Sequence, residues 1–282
     1  MQKIKWQCRW SPTLGSLEES HESVWGTEVY NQEVDNRTPT VFFGLYGLPD
    51  FWVMWRHKGR KAILWAGSDI IHFINGYWLD GEGGIRISPQ GLAHYINTHC
   101  ENYVENIAEH DALLAYGIRS QIVPSFLGDV SKYEVSYEQA EVPKVYLSSS
   151  EGRQEEYGWG IIESIADSVN CEFHLYGATH KTKHPNVIVH GRVSKEQMNE
   201  EIKKMQCGLR LNEFDGFSEV TCKSVLWGQW PITRIPNPEI TSFKTVPDLV
   251  NQLNELKNIK EPNPARNYYL KNLNNYPWNT KS

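Results

Sequence analysis

The 282-residue chain has no apolar run approaching the roughly 20 residues needed to span a bilayer. Its first ten residues, MQKIKWQCRW, carry positive charge but lack the apolar stretch of a signal peptide. Five cysteines (Cys8, Cys100, Cys171, Cys207, Cys222) are an odd number, scattered, with no C-x-x-C pair. That pattern suits a reducing cytoplasm better than a disulfide framework or a zinc site, and predicts a soluble, cytosolic chain. Long charge runs are missing too. With 40% hydrophobic and 22% charged residues, the chain is expected to fold rather than stay disordered. No G-x-G-x-x-G follows any expected strand, so a nicotinamide-dependent oxidoreductase lacks its phosphate loop. No D-x-D occurs either. The formal charge of −6 argues against a surface that binds phosphate backbones everywhere, and leaves room for a local basic cleft.

What is present is an alternation of short apolar runs and amphipathic stretches, the rhythm of parallel sheets with crossover helices. In the first half KIKWQCRW, VFFGLY (41–46), KAILWAG (61–67) and RSQIVPSF read as strands. LPDFWVMWRHKG reads as a helix with Pro49 and Asp50 in its first turn and Phe51, Met54 and Trp55 on one face. Residues 88–117 read as helix, turn, helix, opened by Ser88-Pro89 and closed by Gly117. The stretch 128–144 is polar and non-periodic, and marks the expected domain boundary.

The second half repeats the rhythm. KVYLSSS (144–150), CEFHLYG (171–177), NVIVHGRV (186–193) and CGLRLN read as strands. Helices are expected over 155–169, over 194–205 behind a Ser194/Gln197 capping box, after EFDGFSEV, and over 247–256. Two α/β halves follow, each the size of a nucleotide-binding domain.

The DGFSEVTCKS segment places small residues at the start of a helix, where backbone N–H groups and the helix dipole can hold a diphosphate. Gly216 would let the backbone approach closely, and Ser218 could cap or donate. The same residues also fit an ordinary Asx-Gly turn. Arg153, Arg210 and Arg192 are candidate cations for a departing diphosphate, or else members of surface ion pairs. In the first half, WAGSDI (65–70) sits at a strand end. Asp69 there could orient a hydroxyl or cap a helix, with His72 close by in sequence. His94 and His99 are expected to be structural. Seven of the eleven tryptophans lie in the first 80 residues, most of them expected in a core. The Gly-rich loop GYWLDGEGG (76–84), with Trp78, is the candidate acceptor loop.

The ordered pieces VYLSSSEGRQEEYGWGIIESIA, FHLYGA, NVIVHGRVSKEQM and LRLNEFDGFSEVTCKSVLWGQWPI, spanning 145–232, are similar to the C-terminal domain of GT-B glycosyltransferases. The likeness is to the large retaining group with an E-x(7)-E signature. It implies an α/β GT-B fold: two Rossmann-like domains facing an interdomain cleft, with a C-terminal helix returning to the first. The expected division is an acceptor-binding domain over 1–130, a nucleotide-sugar domain over 144–262 and the returning helix over 263–282.

The resemblance implies sugar transfer from a nucleoside diphosphate sugar to a hydroxyl acceptor, retaining, with no cofactor or metal. The acceptor could be a saccharide, a lipid-linked intermediate, a protein or a modified nucleobase. It further implies that Asp215 contacts the transferred sugar and that the N–H groups of Phe217 and Ser218 meet phosphate or sugar. Gly15 matches a loop near the phosphates. Asp215 stands where the family has its first Glu, and Lys223 where it has the second, which holds the ribose. A lysine cannot accept hydroxyl hydrogen bonds, but can pair with phosphate or with Glu219 one turn earlier. Two alternatives stay open: a bacteriophage-type enzyme acting on a hydroxymethylated DNA base, and a non-catalytic GT-B-like nucleotide-binding module.

Overall fold

A computed structural model describes residues 5–15, 25–31, 36–79 and 84–280. The chain divides into two compact units, residues 1–129 with 272–282, and residues 130–271.

The first unit holds strands β1 (Gln7–Trp10), β2 (Glu28–Val29), β3 (Thr40–Phe43), β4 (Lys61–Leu64), β7 (Glu101–Val104) and β8 (Gln121–Ile122) in the order β2-β1-β3-β4-β7-β8, every pairing parallel. A two-stranded antiparallel pair, β5 (Tyr77–Trp78) and β6 (Arg86–Ile87), stands apart from it. The helices are α1 (Leu48–Arg56), α2 (Ser68–Ile74), α3 (Pro89–His99) and α4 (Ile107–Leu114). All four residues of β3 are buried, as a parallel strand covered on both faces requires. Ser88 accepts a hydrogen bond from the Gln90 N–H to open α3, and Asn106 accepts one from Glu109 to open α4.

Two sequence expectations change here. Residues 88–117 form helix, strand, helix: β7 lies between α3 and α4 and pairs with β4. Its polar first half, Glu101-Asn102, hides the strand in the sequence, although Asn102, Tyr103 and Val104 are all buried. On α1 the buried face is Leu48, Asp50, Phe51 and Met54, while Trp55 is 49% exposed and meets Trp52 edge-on. Asp50 is buried because it binds Arg9, the Ser11 hydroxyl and the Tyr46 N–H.

The second unit contains β9 (Lys144–Ser148), β10 (Glu172–Tyr176), β11 (Val187–Gly191), β12 (Cys207–Arg210), β13 (Ile232–Thr233) and β14 (Thr241–Ser242), in the order β11-β10-β9-β12-β13-β14 and again all parallel. Its helices are α5 (Trp159–Ile165), α6 (Lys195–Ile202), α7 (Glu219–Leu226), α8 (Val246–Glu255) and α9 (Ala265–Asn272). Ser194 caps α6 by accepting from the Gln197 N–H, while the Gln197 side chain turns to Glu201, so only half of the expected capping box forms. The full box belongs to Thr245 and Asp248 at α8. Val145, Leu147, Phe173, Leu175 and Leu209 from the strands pack with Trp159, Ile162, Leu249 and Leu253 from the helices. Among the described residues no helix is long and apolar enough to cross a membrane. Cys8, Cys171, Cys207 and Cys222 are buried, and burial pushes the Cys171 thiol up to about 12.

α9 packs in the second unit: the Tyr269 ring stacks on Phe217 at 4.8 Å and its hydroxyl donates to the Pro238 carbonyl. The chain then returns to the first unit. The Asn274 side chain exchanges two hydrogen bonds with the Phe126 backbone, and the Tyr276 hydroxyl donates to the Val123 carbonyl. Trp278 is fully buried against Tyr276 and Tyr103, with ring centroids 4.5 and 4.9 Å away, beside Trp6 and Trp25. Removing so large a buried ring leaves a cavity. Trp278→Ala is therefore expected to destabilise the first unit by about 3–5 kcal/mol, read as a lower urea midpoint; an unchanged midpoint would contradict this packing.

Candidate functional site

Parallel α/β sheets bind ligands beyond the carboxyl ends of their strands, where helix N-termini point their N–H groups. In the second unit that edge carries a cavity of about 670 Å³. Its walls are the loops after β9 (Ser148, Ser149, Ser150), after β10 (Gly177, Ala178, Thr179) and after β11 (Arg192, Val193), with Lys195 of α6 and Glu219 and Lys223 of α7. Gly177 sets how closely two of these loops approach. Its φ is +92°, and a Cβ there would lie 2.2 Å from the Ser149 carbonyl oxygen. Its N–H donates to the Gly191 carbonyl at 2.7 Å, joining the third loop. Glu151 adds a further tie, accepting from the Thr179 N–H and hydroxyl, and these donors hold its carboxyl below the ordinary range.

The polar groups in this cavity are unequal. Arg192 is exposed at the end of β11. Lys223 is buried and committed, its Nζ 2.8 Å from Asn199 Oδ1 and 2.9 Å from Glu219 Oε1. Lys195 reaches the same Glu219 oxygen at 3.1 Å. Burial alone would raise the Glu219 carboxyl, but the two lysines outweigh it and hold it below its usual value. Lys223 is thus a buried cation whose partner is a carboxylate one helical turn earlier.

A second cluster forms between β12, the segment after β9 and the DGFS turn. Arg210 Nε donates to Asp215 Oδ2 at 2.5 Å, and the Arg210 guanidinium lies 4.3 Å from the centre of the Tyr157 ring. Arg153 lies over the same ring at 5.1 Å and holds Glu156 with both arms of its fork. That pairing pulls the Glu156 carboxyl below its ordinary range. Ser218 caps α7 by accepting from the Thr221 N–H, and the Phe217 ring is buried on Tyr269. Gly216 is half-buried between them in the turn. The expected donor residues therefore fall into two groups: Arg192 and Lys223 at the cavity, and Arg153, Arg210 and Asp215 around Tyr157.

The sequence did not single out Ser148–Ser150, Gly177 and Lys195 at the cavity, or Tyr157 in the cluster, whereas the expected Lys223–Glu219 pair is formed. A run of three serines after one strand and a glycine after the next were the available signals.

In the first unit, His72 and Trp78 share a cavity of about 330 Å³ with Tyr46, Leu48, Asn75 and Arg86. The Arg86 guanidinium stacks 4.1 Å from the Trp78 ring centre, and His72 meets the Tyr46 ring edge-on. Residues 80–83 of the expected acceptor loop lie outside the described residues. Gly15 ends a short 3₁₀ turn, and a Cβ there would meet none of the described residues within 4 Å.

Asp69 is fully buried. Its two oxygens accept from the Leu45 and Ala66 N–H groups at 2.8 and 2.9 Å, tying the loop after β3 to the loop after β4. The carboxylate thus organises two strand-end loops and offers no oxygen to solvent.

A still larger cavity, about 890 Å³, runs from Lys144 and Gln206, at the opposite ends of the strands, to His174, His190 and Glu201. Like the smaller cavity it mixes cations and carboxylates, but it opens from the amino ends of β9 and β12, away from the edge where parallel sheets bind ligands. Among the described residues no group of three His, Cys, Asp or Glu is placed to hold a metal ion.

Burial raises Asp69 to about 7, against the opposing pull of its backbone donors. The folded chain then keeps a proton that the unfolded chain releases near pH 4. The stability that proton supplies is full below about pH 4 and is lost as pH rises through 7. The stability advantage of the wild type over Asp69→Asn should therefore shrink between pH 4 and 7 and level off above. Urea midpoints at four pH values read this directly, and a pH-independent difference would contradict it.

No family model matches the chain, and no curated protein sequence matches it. Solved structures do. The chain aligns with TarM of S. aureus, as a mutant in complex with fondaparinux, alpha-GlcNAc-glycerol and UDP, at TM-score 0.57 and 12% identity, over 86% of this chain and 54% of that one. It aligns with a UDP-forming alpha,alpha-trehalose-phosphate synthase from Burkholderia xenovorans at TM-score 0.58 and 7% identity, over 85% and 70%. A sucrose-phosphate synthase from Thermosynechococcus elongatus gives 0.51 and 9%, over 85% and 67%. The chain spans about half the length of the TarM structures it matches. Two parallel sheets flanked by helices, together with these likenesses, show the GT-B fold built from two Rossmann-like domains.

Proposed function

We propose that the chain is a glycosyltransferase that moves a sugar from a nucleoside diphosphate sugar to a hydroxyl acceptor. The observation that supports this most is the cavity beyond β9, β10 and β11, where glycine-closed loops, Arg192 and Lys195 face a common space. In this reading the second unit takes the donor. The first takes the acceptor, with Trp78 offering an aromatic face to a sugar ring and His72 a polar edge in one cavity. Asp69 acts indirectly, by fixing the two loops it bridges.

Breaking the sugar–phosphate bond leaves negative charge on the departing diphosphate, which preorganised cations stabilise without a metal. Arg153 and Arg210 supply that charge, and the N–H groups at the start of α7, behind Phe217 and Ser218, supply aligned dipoles. Asp215, held by Arg210, is the group proposed to meet the hydroxyls of the transferred sugar. Retention of configuration is the expected outcome, on the likeness to the E-x(7)-E group.

A second reading, a nucleotide-binding module without turnover, draws on Lys223 being committed to Glu219 and Asn199. Donor hydrolysis across UDP-, GDP-, ADP- and CMP-sugars separates the two. One nucleotide class is expected to support turnover, and Arg210→Ala to lower that turnover about a hundredfold. Tight nucleotide binding with no turnover of any donor would favour the module, and no binding at all would remove both.

A further inference from the structure

Both arginines of the second cluster lie over the ring of Tyr157. That ring is half-buried at the edge of the second unit's core. Two backbone features fix its place. The Tyr157 N–H donates to the Arg153 carbonyl at 3.1 Å, closing the turn that follows Ser150. The next residue, Gly158, has φ of +78°, and a Cβ there would lie 2.5 Å from Leu211 Cβ. Only a glycine lets the start of α5 come this close to the end of β12. That approach brings the neighbouring Tyr157 ring under Arg210, the residue just before Leu211.

An arginine over an aromatic face is attracted to the ring quadrupole, most strongly when part of its water is removed. Arg210 meets that condition, with a side chain only 14% exposed, while Arg153 is 52% exposed. Each arginine also carries one carboxylate, Asp215 or Glu156, so the four charges balance and the ring is the element common to both cations.

On the donor-site reading above, we infer that Tyr157 is a positioning residue that sets two arginine charges side by side for the diphosphate of the donor. It makes no contact with the reacting atoms. Its face works through Arg153 and Arg210, and its hydroxyl is dispensable.

The test is nucleotide binding by calorimetry, with UDP, GDP, ADP and CDP and with the matching uncharged nucleosides, on the full chain. The variants are Tyr157→Phe, Tyr157→Leu and Tyr157→Ala, each checked for folding by circular dichroism. Tyr157→Phe keeps the ring and should bind the preferred diphosphate as the wild type does. Tyr157→Leu keeps apolar bulk without the quadrupole, and should weaken the diphosphate about tenfold while leaving the nucleoside unchanged. Tyr157→Ala should do at least the same.

Wild-type affinity in Tyr157→Leu would overturn the inference and leave the donor site standing. Equal losses for diphosphate and nucleoside would overturn it too, since they indicate general loosening of the fold. If the wild type binds no nucleotide, the donor site and the inference fall together.

Discussion

The cavity of the second unit hangs on close backbone approach at the carboxyl edge of a parallel sheet. A strand that ends in an ordinary side chain keeps its loop about a residue's width from its neighbour. Gly177 removes that spacing, so the loop after β10 comes within reach of the Ser149 carbonyl and bonds to the end of β11. Three loops then share one rim. Gly158 does the same against Leu211 and draws the start of α5 onto the end of β12. Neither contact contributes much energy by itself. Each decides where the charged groups nearby are allowed to sit.

Electrostatics then divides that edge into two environments. At the cavity, Lys195 and Lys223 converge on one oxygen of Glu219, and Arg192 and Lys195 are both exposed. Around Tyr157 the pairs Arg153–Glu156 and Arg210–Asp215 share one aromatic ring. A diphosphate entering between the two environments would trade carboxylate partners for phosphate oxygens, an exchange between groups of like charge. It would not need to strip water from bare cations. Lys223 is anchored to Glu219 on its own helix and to Asn199.

Much of the second unit was legible in the sequence because its signals are local. Lys144–Ser148 and Glu172–Tyr176 are short apolar runs ending in serine or glycine, and Ser194 announces a helix by itself. β7 was not legible: Glu101 and Asn102 look like the continuation of a helix surface, and only pairing with β4 makes them a strand. Trp55 belongs to the right helix but points outward, since Leu48 and Asp50 widen the buried face instead. Arg153, Arg210 and Asp215 were recognisable as charged candidates, yet Tyr157 was not. Its role depends on Leu211, more than fifty positions away, and no local pattern carries that distance. Asp69 was expected to orient a hydroxyl or cap a helix; buried, it instead ties the Leu45 and Ala66 N–H groups together.

The central claim is that a nucleotide lies beyond the carboxyl ends of β9, β10 and β11. Amide chemical-shift mapping during titration with a panel of nucleoside diphosphates tests this most directly. The predicted result is that the largest shifts fall on Ser149, Ser150, Gly177, Arg192 and Lys195, with smaller ones reaching Tyr157 and Ser218. Shifts confined to the cavity beside His174 and His190, or none with any nucleotide, would contradict it.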